Sequence, residues 1–348
     1  MSVEAFRERI LQRKPLCIRS GGSKDFYGGP PAGEPLDVSG HRGIVSYEPS
    51  ELVVTARAGT PLAELGAALA ERGQWLAFEP PGFQGGATLG GALAAGLSGP
   101  GRASQGALRD FVLGVQVMDG EGRVLTFGGQ VMKNVAGFDV SRLMAGSLGT
   151  LGLILEASIK VLPRPVAQAT LRFQLPQDRA LEAMNRWAGR PLPVMSTAWE
   201  DQALTVRLAG AEAAVREACA TLGGERVPEG EAADHWAALR DQRLPFFSGS
   251  APLWRLSLPP TTPPLDLPGD SLIEWGGAQR WLRGELDATA LRDRARRAGG
   301  HATLFRGGDR TSGVFTPLPE PLAAIHRRLK AVFDPHGVFN RGRLFPDL

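Results

Sequence analysis

Residues 80–101 run for 22 positions without a charged side chain, and eight of those positions are glycine and three are proline. A charge-free stretch of that length could cross a bilayer, and Gly86 and Gly90 stand at the G-x-x-x-G spacing of packed membrane helices. Pro80, Pro81 and Pro100 break both ends, however, and few large apolar residues remain to drive insertion. The run needs a reason other than a membrane, and that reason must lie in its backbone.

The rest of the chain is ordinary globular protein. Of 348 residues, 43% are hydrophobic and 22% charged, and the length suggests two domains at about 150 residues each. Its 45 glycines and 27 prolines amount to roughly a fifth of the chain against a usual ~12%, which indicates many backbone-specified loops. The net charge is only +3 and no basic block occurs, so nucleic acid is not implied; the preference for Arg over Lys reads as coding bias. Two cysteines, Cys17 and Cys219, cannot make a disulfide framework and are expected in the core of a protein from a reducing compartment. Residues 1–14 are amphipathic and charged, without the apolar centre of a secretory signal, which disfavours export. His41, His235 and His326 lack ligand spacing, so no metal is expected.

Periodicity predicts a helix over 3–13 and a short strand over 16–19 that runs into Ser20-Gly21-Gly22-Ser23. Residues 52–58 alternate as a strand, and Gly59 leads to a helix with Thr60 as N-cap, Pro61 at its first position and Gly73 past its end. Residues 112–118 and 123–127 flank a hairpin turn, 139–145 form a short helix, and 151–162 form a long strand stopped by Pro163 and Pro165. Beyond them come a strand at 169–175, a helix at 178–189, a strand at 203–208 and a helix at 211–222, in the manner of a split β-α-β layer. A proline-rich connector at 259–268, strands at 271–275 and 301–306 and helices at 287–298 and 321–333 complete the order. The predicted division is 1–165, 166–300 and a C-terminal segment 301–348.

Glycine lets a backbone come close to an anion, and main-chain amides can then hold it without cationic side chains. Two loops have that character: residues 20–24, after a strand, and residues 81–91, which run into small residues up to Gly99. Hydrogen bonds to charged groups contribute ~1.5 to 3 kcal/mol each, so four amides reach the scale of about 8 kcal/mol that micromolar binding of a dinucleotide pyrophosphate needs. The same glycines could merely turn the chain, and spacing alone leaves both open. No G-x-G-x-x-G fingerprint opens a strand-helix unit and no Gly-Lys phosphate loop occurs, so Rossmann and P-loop readings lose ground. A serine-hydrolase elbow fails at Ala145, which replaces the first glycine before Ser147.

Four stretches carry a family resemblance: residues 18–28 (IRSGGSKDFYG), 85–110 (GATLGGALAAGLSGPGRASQGALRD and its flank), 133–163 (KNVAGFDVSRLMAGSLGTLGLILEASIKVLP) and 333–345 (FDPHGVFNRGRLF). Together they resemble the flavoprotein superfamily of vanillyl-alcohol oxidase and p-cresol methylhydroxylase, and within it the FAD-binding subunits of bacterial glycolate oxidases. The resemblance implies an α+β fold, with a two-part FAD-binding domain of the p-cresol methylhydroxylase type and a smaller α+β cap domain. It also implies FAD held by Ser20, Gly21, Gly22, Ser23 and Lys24 in the first loop, and by Pro81, Thr88, Leu89, Gly90, Gly91, Ser98, Gly99 and Gly106 around the second. Gly149, Gly152 and Ile154 would line its adenosine part.

Two departures from the family qualify what the chain does. Members that attach flavin covalently often have His in the first loop, where this chain has Ser23-Lys24-Asp25, so noncovalent FAD is expected. The His-containing G-D-G-N motif of related hydroxy-acid dehydrogenases is reduced to residues 301–309, without its Asn and second His. His301, Arg306, His336 and Arg341 remain as catalytic candidates because they lie in the terminal segment. The resemblance thus implies a subunit that oxidises glycolate or another small 2-hydroxy acid within a complex. Its implied partners are a larger FAD subunit and an iron-sulfur subunit, with a cytoplasmic location and a membrane reached only through them. A non-catalytic FAD-binding assembly or relay subunit and a stand-alone flavin alcohol oxidase stay open.

Overall fold

The strand expected at the start of the chain forms at Leu16–Arg19 and pairs in parallel with Glu34–Asp37, Leu16 opposite Glu34 and Arg19 opposite Asp37. The computed structural model describes residues 1–83, 85–129 and 139–348, so the first six residues of the 133–163 stretch lie outside the described residues. Two units divide the chain. Residues 1–98, 107–163 and 313–348 form the first; residues 99–106 and 164–312 form the second.

In the first unit a five-stranded antiparallel sheet has the order Ile44–Glu48, Val53–Arg57, Leu153–Lys160, Val112–Met118 and Val124–Gly128. Its central strand Leu153–Lys160 is buried on both faces. Ile154, Ala157 and Ile159 enter one core with Leu65, Leu69, Leu89 and Leu93, while Leu153 and Leu155 enter another with Phe6, Ile10, Leu16 and Phe339. The parity changes after Leu155, the residue skipped where the pairing passes from Gln116–Glu156 to Val117–Ile154, so a bulge lets one strand serve both cores. The predicted hairpin forms as Val112–Met118 and Val124–Gly128, in register from Gly114 to Gly128.

The second helix starts differently from the expected pattern. It spans Leu62–Ala70 with Pro61 at the N-cap and no side-chain cap. Thr60, completely buried, instead accepts a hydrogen bond from the Gly43 amide at 2.9 Å and donates to the Gly43 carbonyl, so its hydroxyl is spent on the neighbouring loop. Cys17 and Cys219 are free but only partly buried, which corrects their expected place in the core.

The second unit is an eight-stranded sheet whose neighbours all pair antiparallel. It includes four strands that periodicity missed, Val194–Glu200, Glu225–Val227, Leu253–Ser257 and Gln279–Arg283. Val194–Glu200 and Gln279–Arg283 are buried nearly throughout, so their sequences do not alternate. His301–Arg306 pairs with Leu253–Ser257 and so belongs to this sheet; the part of the chain that rejoins the first unit starts at Gly313, not at 301. Residues 99–106 likewise leave the first unit, anchored by Trp275 Nε1 donating to the Gly99 carbonyl (3.0 Å) and Ser104 Oγ donating to the Met195 carbonyl (2.8 Å).

Candidate functional site

A cavity of about 340 Å³ opens within the first unit, in the range of small-molecule and cofactor sites. Strand Leu16–Arg19 delivers the first glycine loop to its rim, and Ser20, Gly21, Gly22, Ser23 and Lys24 all line it. Thr88, Gly90 and Gly91 line it from the second loop, and Gly149, Gly152 and Ile154 from the turn into the central strand. The three segments implied by the resemblance thus meet at one place.

The two glycine loops touch. A Cβ added to Gly21 would stand 1.5 Å from the Gly86 carbonyl oxygen, so only glycine permits this approach, and Gly86 faces it at φ +71°. Gly86 is therefore the element of the second loop that meets the first, and its signal in the sequence was the Gly85-Gly86 pair itself.

Donors are left over around this contact. The amides of Gly21, Gly22 and Ser23 donate to no acceptor among the described residues, and the same holds for Ala87 and Thr88. Ser20 Oγ is buried without a hydrogen-bond partner. Buried polar atoms are seldom left unsatisfied, and Ser20 Oγ together with the buried Ala87 and Thr88 therefore marks an edge suited to a ligand that accepts hydrogen bonds, with the more open amides of Gly21, Gly22 and Ser23 facing water beside it.

The helix that follows the second loop has few donors to offer. Helix Leu89–Ala95 has its first three amides committed: Leu89 to the Thr60 carbonyl (2.9 Å), Gly90 to the Ala58 carbonyl (2.8 Å) and Gly91 to Thr88 Oγ1 (3.3 Å). Gly90 and Gly91 offer surface to the cavity rather than donors. Leu89 is core, Pro81 is buried away from the lining, and Ser98 Oγ accepts from the Leu108 amide at 2.9 Å. Gly99 and Gly106 belong to the second unit.

Positive charge at the cavity comes from one side chain of the first loop and from residues outside the loops. Arg19, Lys24 and Arg343 line the cavity with Asp25 as the one carboxylate among the described lining residues. Arg19 is paired to Asp25 at 2.7 Å, and Lys24 sits 5.4 Å from the Phe83 ring centre. Burial pushes the Cys17 thiol above its usual range, with Arg343 opposing, so it stays neutral at the cavity wall. Such a balance suits an anionic ligand.

Sequence reasoning missed Asn340 and Arg343, both of which line the cavity from the C-terminal tail. Their positions are more than 300 residues from the loops they hold, so no local pattern pointed to them; the 333–345 stretch was the only signal.

The four catalytic candidates are divided between the two units. His301 and Arg306 lie on a strand of the second unit, where Arg306 donates to Gln242 Oε1 at 2.8 Å. Arg341 donates to the carbonyls of Gly337 and His336, which closes a turn after the last helix, and neither it nor His336 is part of the lining. Asp309, the remnant of the G-D-G-N resemblance, accepts from the amide and hydroxyl of Thr311.

Known proteins show what the chain is similar to. Residues 4–128 match the family model described as FAD binding domain. The chain is 49% identical over 346 residues to the glycolate oxidase subunit GlcE of Escherichia coli, covering 99% of this chain and 97% of that one. It is 31% identical over 128 residues to the glycolate oxidase subunit GlcD of Bacillus subtilis, covering 37% and 27%. With a D-lactate dehydrogenase of Archaeoglobus fulgidus it shares 28% over 195 residues, covering 55% and 43%. Among solved structures, an alkyldihydroxyacetonephosphate synthase superposes with a TM-score of 0.68 at 15% identity, covering 97% of this chain and 74% of that one, a likeness of fold. Because the identity to GlcE extends over nearly the full length of both chains, the chain belongs to the family of the glycolate oxidase subunit GlcE.

Proposed function

We propose that the chain is the FAD-holding subunit of a complex that oxidises glycolate to glyoxylate, with its FAD bound noncovalently in the cavity of the first unit. The observation that carries the placement is the contact of Gly21 with Gly86 beside unpaired amides and the orphaned Ser20 hydroxyl. These residues fit the group: three amides in a row at Gly21, Gly22 and Ser23 match a diphosphate, and the Ser20 hydroxyl can donate to it. When bound, FAD supplies the two-electron acceptor for the α-carbon of the hydroxy acid.

The chain's own residues bind and orient. Gly21 and Gly86 set the gap, Gly149 and Gly152 with Ile154 shape an apolar wall, and Arg19, Lys24 and Arg343 bias the cavity toward an anion. Noncovalent attachment is supported by Ser23-Lys24-Asp25, which places no histidine in the first loop. Electrons leave through partner subunits, a larger FAD subunit and an iron-sulfur subunit. Its own two cysteines cannot ligate a cluster that takes four. No helix among the described residues is long and apolar enough to cross a membrane; we place the chain in the cytoplasm, with any membrane contact made through its partners.

A second reading keeps FAD but assigns substrate oxidation to the partner, leaving this chain as a relay or assembly subunit. It is favoured by the absence of histidine from the described cavity lining and by Arg341, which is spent on the carbonyls of Gly337 and His336. Anaerobic mixing of the yellow purified chain with glycolate separates the two. Bleaching of the chain alone supports self-sufficient oxidation, and bleaching only in the presence of the partner subunits supports the relay.

A further inference from the structure

The loop that carries Ser20 to Lys24 is held at both ends by side chains from one short piece of the C-terminal tail. Before the loop, Asn340 Oδ1 accepts a hydrogen bond from the Ile18 amide at 2.7 Å, and the Asn340 backbone amide donates to the Leu16 carbonyl at 2.9 Å. After the loop, the Arg343 guanidinium donates to the carbonyls of Asp25 (3.1 Å), Tyr27 (2.6 Å) and Gly29. Asn340 also reaches the opposite wall, where its Nδ2 donates to the Leu148 carbonyl at 2.6 Å, one residue before the turn at Gly149. A Cβ on Gly149 would lie 2.7 Å from that same nitrogen, so the turn and the side chain fit each other closely.

We propose that Asn340 and Arg343 are positioning residues for the cofactor: together they clasp the first glycine loop and fix its distance from the Leu148-Gly149 turn. The chemistry explains the residue types. Asn carries an acceptor and a donor on one planar group, which the Ile18 amide and Leu148 carbonyl require, and it tolerates the left-handed backbone that Asn340 adopts at φ 42°. Arg offers a fixed fork of donors that can reach three carbonyls of one turn, where the point charge of Lys cannot. Both are buried, at 6% and 8% exposure, so the bonds they make are shielded from competing water.

The inference rests on FAD occupying the cavity of the first unit, and it is tested on the full chain stripped of flavin and titrated with FAD. Asn340→Gly keeps the left-handed backbone while deleting the clasp, and Arg343→Lys keeps the charge while losing the fork. For each, the FAD dissociation constant is expected to rise about tenfold or more, the scale of losing one or two shielded hydrogen bonds. The thermal midpoint of the FAD-loaded form should fall further than that of the flavin-free form, a difference that a merely structural role does not produce. Asn340→Asp, which keeps the acceptor and loses the donor, should lie between wild type and Asn340→Gly. Wild-type affinity in both Asn340→Gly and Arg343→Lys overturns the clasp while leaving the site in place. Failure of the wild-type chain to take up FAD overturns the site, and the clasp with it.

Discussion

Lys330 Nζ lies 2.6 Å from Asp334 Oδ2, one turn further along the last helix, and both groups are buried. The same ammonium donates to the carbonyls of Thr150 (2.7 Å) and Phe339 (2.9 Å), and the carboxylate accepts from the amides of Val338 and Phe339. Burial lowers the Lys330 pKa and Asp334 opposes that shift. With every donor and acceptor used, the pair joins the C-terminal helix to the turn beside the cavity.

Removing one member leaves the other charged and alone in the interior. Lys330→Met is expected to cost the first unit about 3 to 5 kcal/mol in urea unfolding. The Lys330→Met, Asp334→Asn double variant should recover part of it. A loss under about 1 kcal/mol in the single variant would mean that water reaches the pair after all.

Ser20 gives a test with opposite signs in two states. Its hydroxyl is buried without a partner, so Ser20→Ala should leave the flavin-free chain as stable as before or slightly more so. The same change should weaken FAD by about 0.5 to 1.5 kcal/mol, read by titration, because the ligand loses a hydrogen-bond partner. Equal affinity for FAD in both chains would remove Ser20 from the site.

Gly90 and Gly91 are adjacent and should behave differently. A Cβ at Gly90 meets Ala58 Cβ at 2.6 Å and the Ala58 carbonyl at 3.0 Å, whereas one at Gly91 meets only Thr88 Oγ1, at 3.3 Å. Gly90→Val should therefore destabilise the fold by about 1 to 3 kcal/mol or more through overpacking. Gly91→Val should hold its thermal midpoint in the flavin-free state and lose FAD, since this position faces the cavity. Identical behaviour of the two variants in thermal melts and FAD titrations would contradict the geometry.

How far the sequence reached can be judged from these residues. The first loop was legible because a short apolar strand ends directly in Ser20-Gly21-Gly22, and the second because 22 uncharged residues had no other use. Which glycine does what was not legible: Gly86 makes the loop contact and Gly90 packs on Ala58, and both depend on distances across the fold. Asn340 and Arg343 act on residues far away in the chain, beyond the reach of any period or cap rule. Strands Val194–Glu200 and Gln279–Arg283 were missed because burial on both faces removes alternation, and helix Glu229–Arg240 because its apolar stripe is narrow, with only Ala232, Trp236 and Leu239 buried.

The second unit offers a pH test. His235 Nε2 is buried without a partner beside Trp236, and burial holds its pKa below 6.5, with Arg172 and Arg207 acting the same way and Glu231 against. The unfolded chain then takes up a proton near 6.5 while the folded chain resists, so the unfolded state binds more protons and stability falls as pH drops through that window. His235→Phe keeps the ring contact and removes the titration. Its urea midpoint should decline less than that of wild type between pH 7 and about pH 5, and parallel declines would assign the acid sensitivity elsewhere.

The most direct measurement is an FAD titration of the flavin-stripped chain beside its Gly21→Val variant, whose side chain would force the first loop away from Gly86. One FAD per wild-type chain, with a yellow flavin spectrum, and little or none retained by a folded Gly21→Val chain is the predicted result. Full occupancy in the variant, or a wild-type chain that stays colourless in excess FAD, would contradict it.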